Sequence, residues 1–178
     1  MKTIHVLDKQ FNLSIPEKDI LSAVKQVADA ITYDLADKNP LFVCILNGAF
    51  MFASDLMKLL EFPCEISFVK FSSYDGMHTT GEISELIGLN EDLKGRTVVV
   101  VEDIVDTGIT MERILNALKN KGAEEVKVAT FLQKPEALQR DVQIDYVAMC
   151  IPNDFIVGYG LDYNGYGRNL RDVYTVVE

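Results

Sequence analysis

The chain reads as an α/β protein with a central, mostly parallel sheet flanked by helices, and three observations carry that reading. The run Val98–Val101 is four β-branched apolar residues in succession, the pattern of a strand buried on both faces. Glu102 and Asp103 follow at its carboxyl end, then the small-residue loop Asp106–Thr110, then Met111, Ile114, Leu115 and Leu118 at helical spacing. Short apolar runs alternate with amphipathic stretches elsewhere too, which is how a parallel sheet is built.

In chain order, Ser14-Ile15-Pro16-Glu17 has capping-box spacing with a proline near the first turn. Ile20, Val24, Val27, Ile31 and Leu35 then recur on one helical face until Asn39-Pro40 stops the helix. Leu41–Leu46 is a short buried strand and Asn47-Gly48 a sharp turn. Ala49–Leu60 forms the next helix, ended before Pro63, and Cys64–Phe71 a strand. Ser72–Glu85 has no periodicity and many small or polar residues, so it reads as a long loop of the kind that serves as a lid. Val98–Val101, Val126–Phe131 and Tyr146–Ile151 are further strands, with Ile114–Lys119 in the helix between the first two. No repeat or linker interrupts residues 1–178, which read as a single domain.

Composition narrows the partners. A net charge of −10 disfavours nonspecific nucleic-acid or anionic-membrane binding. The amino terminus lacks the apolar run of a signal peptide, and no segment is long and apolar enough to span a bilayer. Cys44, Cys64 and Cys150 are isolated in apolar stretches, which reads as buried free thiols in a reducing cytoplasm. His5 and His78 lack metal-ligand spacing.

A strand, an acidic tip, a small-residue loop and a helix make a phosphate site, because loop amides and the helix N-terminus supply donors. Two carboxylates beside it would repel a bare polyanion. They fit a ligand that brings sugar hydroxyls or a hard cation such as Mg²⁺ along with its phosphate. Neither GxxxxGK[ST] nor GxGxxG occurs.

The run Glu102–Thr110 resembles the 5-phosphoribosyl-1-pyrophosphate (PRPP) signature of type I phosphoribosyltransferases. Asp106 resembles the branch acting on the 6-oxopurines hypoxanthine and guanine. Leu46-Asn47-Gly48, Ser73-Tyr74, Lys134-Pro135, Phe155–Tyr163 and Arg168-Asn169-Leu170 extend the resemblance over nearly the whole chain. It implies a fold with a small base-binding hood and a Mg²⁺-dependent purine-salvage activity by pentosyl transfer. Hypoxanthine or guanine and PRPP would give IMP or GMP and pyrophosphate, in a cytoplasmic homodimer or homotetramer.

The resemblance implies a role for each residue. Asp106 becomes the general acid/base at purine N7, although Asp there also suits a helix N-cap. Glu102 and Asp103 go to ribose hydroxyls and metal-bound water, and Thr107, Gly108, Ile109 and Thr110 to the 5′-phosphate. Gly108 would permit close backbone approach and Ile109 would offer only its main chain. Asn47, Gly48 and Arg168 take pyrophosphate, and Asn47 stands where many relatives carry Lys. Ser73 and Tyr74 belong to the lid. Lys134 donates to purine O6, Phe155 stacks on the base and Ile156 meets its edge through the main chain. Asp162 is a base-side residue and a further metal contact. Tyr163, Gly165, Tyr166 and Gly167 read as loop packing, since only Arg168 adds positive charge among them. A xanthine-preferring transferase and a PRPP-sensing, nucleic-acid-binding regulator are the competing readings. The acidic charge and the base-side set Lys134, Phe155 and Asp162 count against the regulator.

Overall fold

A computed structural model describes residues 2–74 and 83–177. Two sheets form. The larger has the order β5-β4-β3-β6-β7-β8, built from β3 (Leu41–Ile45), β4 (Glu65–Tyr74), β5 (Ile83–Ile87), β6 (Thr97–Val105), β7 (Glu125–Gln133) and β8 (Tyr146–Cys150). The β4, β3, β6, β7 and β8 strands run parallel, and β5 pairs antiparallel with β4 at one edge. The smaller, antiparallel sheet joins both ends of the chain in the order β1-β2-β10-β9, from β1 (Thr3–Val6), β2 (Lys9–Ile15), β10 (Val173–Val176) and β9 (Ile156–Val157). It matches the expected hood. Its amino-terminal strands escaped sequence reading because alternation in Lys9–Ile15 is broken by half-buried Asn12 and Leu13.

The valine run does what its composition demands. Val98, Val99, Val100 and Val101 are all fully buried. Because side chains alternate across a strand, Val99 and Val101 face one core and Val98 and Val100 the other. The first core is closed by α1 (Glu17–Leu35), whose Ile20, Val24, Val27, Ile31 and Leu35 form the expected stripe, and by α2 (Phe50–Met57). The second is closed by α3 (Ile109–Asn120) through Met111, Ile114 and Leu118. Each such Leu or Ile contributes about 1.5–3 kcal/mol by leaving water.

Three expectations are corrected. Ser14 lies in β2 and caps nothing, and the amide of Glu17 instead donates to Asp172 Oδ1 at 2.9 Å. The carboxy-terminal segment thus supplies the cap, a partner invisible to a local motif. The loop expected over Ser72–Glu85 is strand at both ends, with Ser73 opposite Ser84 and Tyr74 opposite Ile83. The rest of the expected lid, including His78, lies outside the described residues. Of the thiols, only Cys44 is buried, and burial raises its pKa to about 12. Cys64 is half-buried and Cys150 exposed, because β8 is the sheet's edge. Among the described residues no helix is long and apolar enough to cross a membrane.

Candidate active site

In the larger sheet the chain proceeds from β3 outward to β4, and from β6 outward in the other direction to β7 and β8. The order therefore reverses between β3 and β6, and the crevice outside their carboxyl ends is where an open α/β sheet takes its ligand. The turn after β3 is Leu46-Asn47-Gly48, with a cis peptide between Leu46 and Asn47. The tip of β6 is Glu102–Val105, so the two motifs meet side by side. A Cβ on Gly48 would lie 1.5 Å from Asp103 Oδ2, and only glycine lets turn and carboxylate touch.

Glu102 and Asp103 are half-buried within β6 itself, not on a loop beyond it. Glu102 Oε1 accepts the Asp103 amide at 3.0 Å, and Asp103 Oδ1 accepts the Ile104 amide at 2.7 Å. Burial, reinforced by the charge of Asp103, holds the Glu102 carboxyl well above the usual range. Burial also raises Asp103, against the pull of Arg168. A pair kept uncomfortable in its charged form is poised for a cation or a hydroxyl donor.

Downstream, Asp106 is exposed and makes no cap: α3 starts from Gly108, at φ +79°, with no side-chain cap bond. The N-cap explanation for Asp106 is thereby removed. Thr107 Oγ1 accepts the Ile109 amide at 3.4 Å. Glu102, Val105, Asp106, Thr107, Gly108 and Thr110 border a hollow of about 100 Å³ at the helix N-terminus. Behind Gly108 lies a segment that sequence reading did not single out. Val142 Cγ2 would stand 3.0 Å from a Cβ on Gly108, and the Gln139 amide donates to Thr107 O at 2.9 Å. Nothing in Leu138–Val142 signals this, because the contact is made by ordinary loop residues.

The residues expected on the base side come from other elements, and of these Lys134 is the one brought against Asp106. Lys134, just after β7, is buried. Its amide donates to Val105 O at 3.0 Å, and its Nζ donates to Asn153 Oδ1 at 3.3 Å and stands 3.9 Å from Asp106 Oδ2. Asn153 is a second residue not singled out, since it reads simply as part of a Pro-Asn turn. Phe155 is 46% exposed, its ring set 6.2 Å from Phe11 and edge-on to Tyr163 at 5.8 Å. Ile156 is buried in β9. The tyrosine–glycine cluster packs as expected at Tyr163, whose hydroxyl donates to Asp8 at 2.9 Å, while Tyr166 is largely exposed.

Asp162 pairs with Arg168 at 2.6 Å and accepts the Gly165 amide at 2.6 Å. Arg168 also donates to Gly160 O at 2.7 Å. Among the described residues no three His, Cys, Asp or Glu side chains gather closely enough to hold a metal by themselves, so Glu102, Asp103 and Asp162 are not one cage. That is compatible with Mg²⁺, which keeps several waters and is commonly bound by one or two carboxylates together with substrate phosphates. The strained pair Glu102–Asp103 fits that manner of binding better than Asp162, whose charge Arg168 already meets.

The phosphoribosyl transferase domain family matches residues 16–164. The chain is 41% identical over 163 residues to a hypoxanthine-guanine phosphoribosyltransferase of Streptococcus thermophilus, covering 91% of each chain. It is 43% identical over 163 residues to one of Streptococcus agalactiae, again covering 91% of each. The crystal structure of a hypoxanthine phosphoribosyltransferase from Staphylococcus aureus matches with a TM-score of 0.85 at 33% identity, over 93% of this chain and 91% of that one.

Proposed function

The chain belongs to the phosphoribosyl transferase domain family, and on that footing we propose that it is a purine-salvage transferase joining hypoxanthine and guanine to PRPP. The products are IMP or GMP and pyrophosphate. The observation that carries the base assignment is the approach of Lys134 to Asp106, from the ends of different strands, to 3.9 Å. An ammonium has three N–H donors, and Asn153 takes one. A buried donor beside a carboxylate suits a 6-oxopurine, which offers an acceptor at O6 and a proton to be managed at N7. Adenine, with an NH₂ donor at position 6, would leave the buried ammonium unmatched.

The division of labour in this reading accords with position. The amides of Thr107–Thr110 and the start of α3 hold the 5′-phosphate. Glu102 and Asp103 accept the ribose hydroxyls, and the Asn47–Gly48 turn with Arg168 receives the pyrophosphate. Phe155 stacks on the purine, Ile156 meets its edge, and Asp106 handles the N7 proton as N9 attacks ribose C1. The C1–O bond opens through an oxocarbenium-like state, as in glycoside chemistry. Mg²⁺, held by Glu102, Asp103 and the substrate's own oxygens, would supply charge neutralisation for the departing pyrophosphate. Three free thiols accord with a cytoplasmic site of action.

Lys134→Ala tests the base assignment. Losing a charged hydrogen bond to O6 costs roughly 1.5–3 kcal/mol, so kcat/KM for hypoxanthine and guanine drops by about one to two decades. The dissociation constant for PRPP stays close to that of the parent, because its contacts lie on other segments. An unchanged kcat/KM would remove Lys134 from the base pocket. An equal loss in both quantities would move it to the phosphate side.

A further inference from the structure

Tyr159 lies between the base-side residues Phe155 and Asp162, but it belongs to the core. It is 2% exposed, its ring stands 4.8 Å from that of Phe131, and its hydroxyl donates to Asp55 Oδ2 at 2.7 Å. Asp55 sits on α2, the helix that begins directly after the Asn47–Gly48 turn. Its other oxygen accepts from Lys58 Nζ at 2.6 Å, so both oxygens are engaged. Burial and the neighbouring carboxylate push the Tyr159 hydroxyl far above its ordinary range, which keeps it a donor at any working pH.

The backbone around Tyr159 is fitted as closely as its side chain. Tyr159 has φ +48°, a conformation a bulky residue rarely takes, and its amide donates to Leu170 O at 2.8 Å. A Cβ on the adjacent Gly160 would fall 2.0 Å from Gly48 O. Gly160 also exchanges two bonds with Arg168: its amide donates to Arg168 O at 3.0 Å, and its carbonyl accepts from the guanidinium at 2.7 Å. A continuous set of contacts therefore runs from Asp55 through Tyr159 and Gly160 to both Gly48 and Arg168.

We propose that Tyr159 is a positioning residue: its hydrogen bond to Asp55 holds Gly160 and Arg168 in register with the Asn47–Gly48 turn and so sets the affinity for pyrophosphate. This rests on the reading above that Asn47, Gly48 and Arg168 receive the pyrophosphate. Lys134 and Asp106 are anchored elsewhere, just beyond the ends of β7 and β6, so this set of contacts does not reach the purine contact they make.

Tyr159→Phe keeps the ring and removes only the donor. Titration calorimetry with pyrophosphate and Mg²⁺ should show binding weakened by about three- to tenfold, the scale of one net hydrogen bond. The KM for hypoxanthine and kcat should stay within about twofold, because uniform binding energy moves affinity and not the chemical step. Asp55→Ala should reproduce the loss, and the double variant should be no worse than either alone, since the pair acts as one unit. Asp55→Asn retains an acceptor oxygen and should bind pyrophosphate like the parent. Unchanged pyrophosphate affinity in Tyr159→Phe would overturn the proposal. So would additive losses in the double variant, or a loss shared equally by the hypoxanthine KM. Purine turnover by the parent is read separately, so a failure of the functional reading is distinct from a failure of this one.

Discussion

Asp106→Asn lowers kcat by about 10²-fold or more, the contribution expected of a positioned general acid/base. The substitution keeps side-chain size and hydrogen-bonding capacity but cannot exchange a proton at N7. Folding should hardly change. Asp106 is exposed, caps no helix, and stands 3.9 Å from Lys134 Nζ. Surface substitutions of that kind usually stay within about 0.5 kcal/mol. PRPP affinity should also hold within a few-fold, because the proposed phosphate cradle is made of main chain and hydroxyls. Steady-state kinetics beside a PRPP titration check this. A kcat within a few-fold of the parent would take the proton-handling role away from Asp106.

Turnover is expected to vanish with a chelator and return with Mg²⁺ or Mn²⁺. Glu102 and Asp103 are side by side in β6, half-buried, and held above the ordinary carboxylate range by burial. Without a cation, a pyrophosphate and a 5′-phosphate meet carboxyls that already resist ionisation, and the phosphates' own charge drives that pair still further from its ionised form in a medium that screens poorly. Arg168 cannot offset this alone, because Asp162 engages it at 2.6 Å. Assays after exhaustive chelation, with and without added divalent ion, measure the effect. Full activity in the metal-free protein would refute the electrostatic account.

The parts of the fold legible in the sequence are those where local pattern and tertiary environment agree. Val98–Val101 is apolar on both faces because both faces are covered, and the stripe Ile20–Leu35 is regular because one side of α1 meets a flat sheet. Legibility fails where partners are distant in the chain. The start of α1 is capped by Asp172 rather than Ser14, and the strands of the smaller sheet come from opposite termini. The candidate site divides the same way. Glu102–Thr110 is contiguous and was legible as a unit. Asn153 beside Lys134, Val142 behind Gly108 and Asp55 under Tyr159 are meetings between segments, and no spacing rule announces them.

The central claim is that this site joins a 6-oxopurine to PRPP, with Lys134 reading position 6. Its most direct test is steady-state turnover of the purified protein with PRPP, Mg²⁺ and, in turn, hypoxanthine, guanine, xanthine and adenine. The expected result is efficient formation of IMP and GMP with release of pyrophosphate, and negligible use of adenine. Adenine consumed as readily as hypoxanthine, or no nucleotide formed from any of the bases, would contradict it.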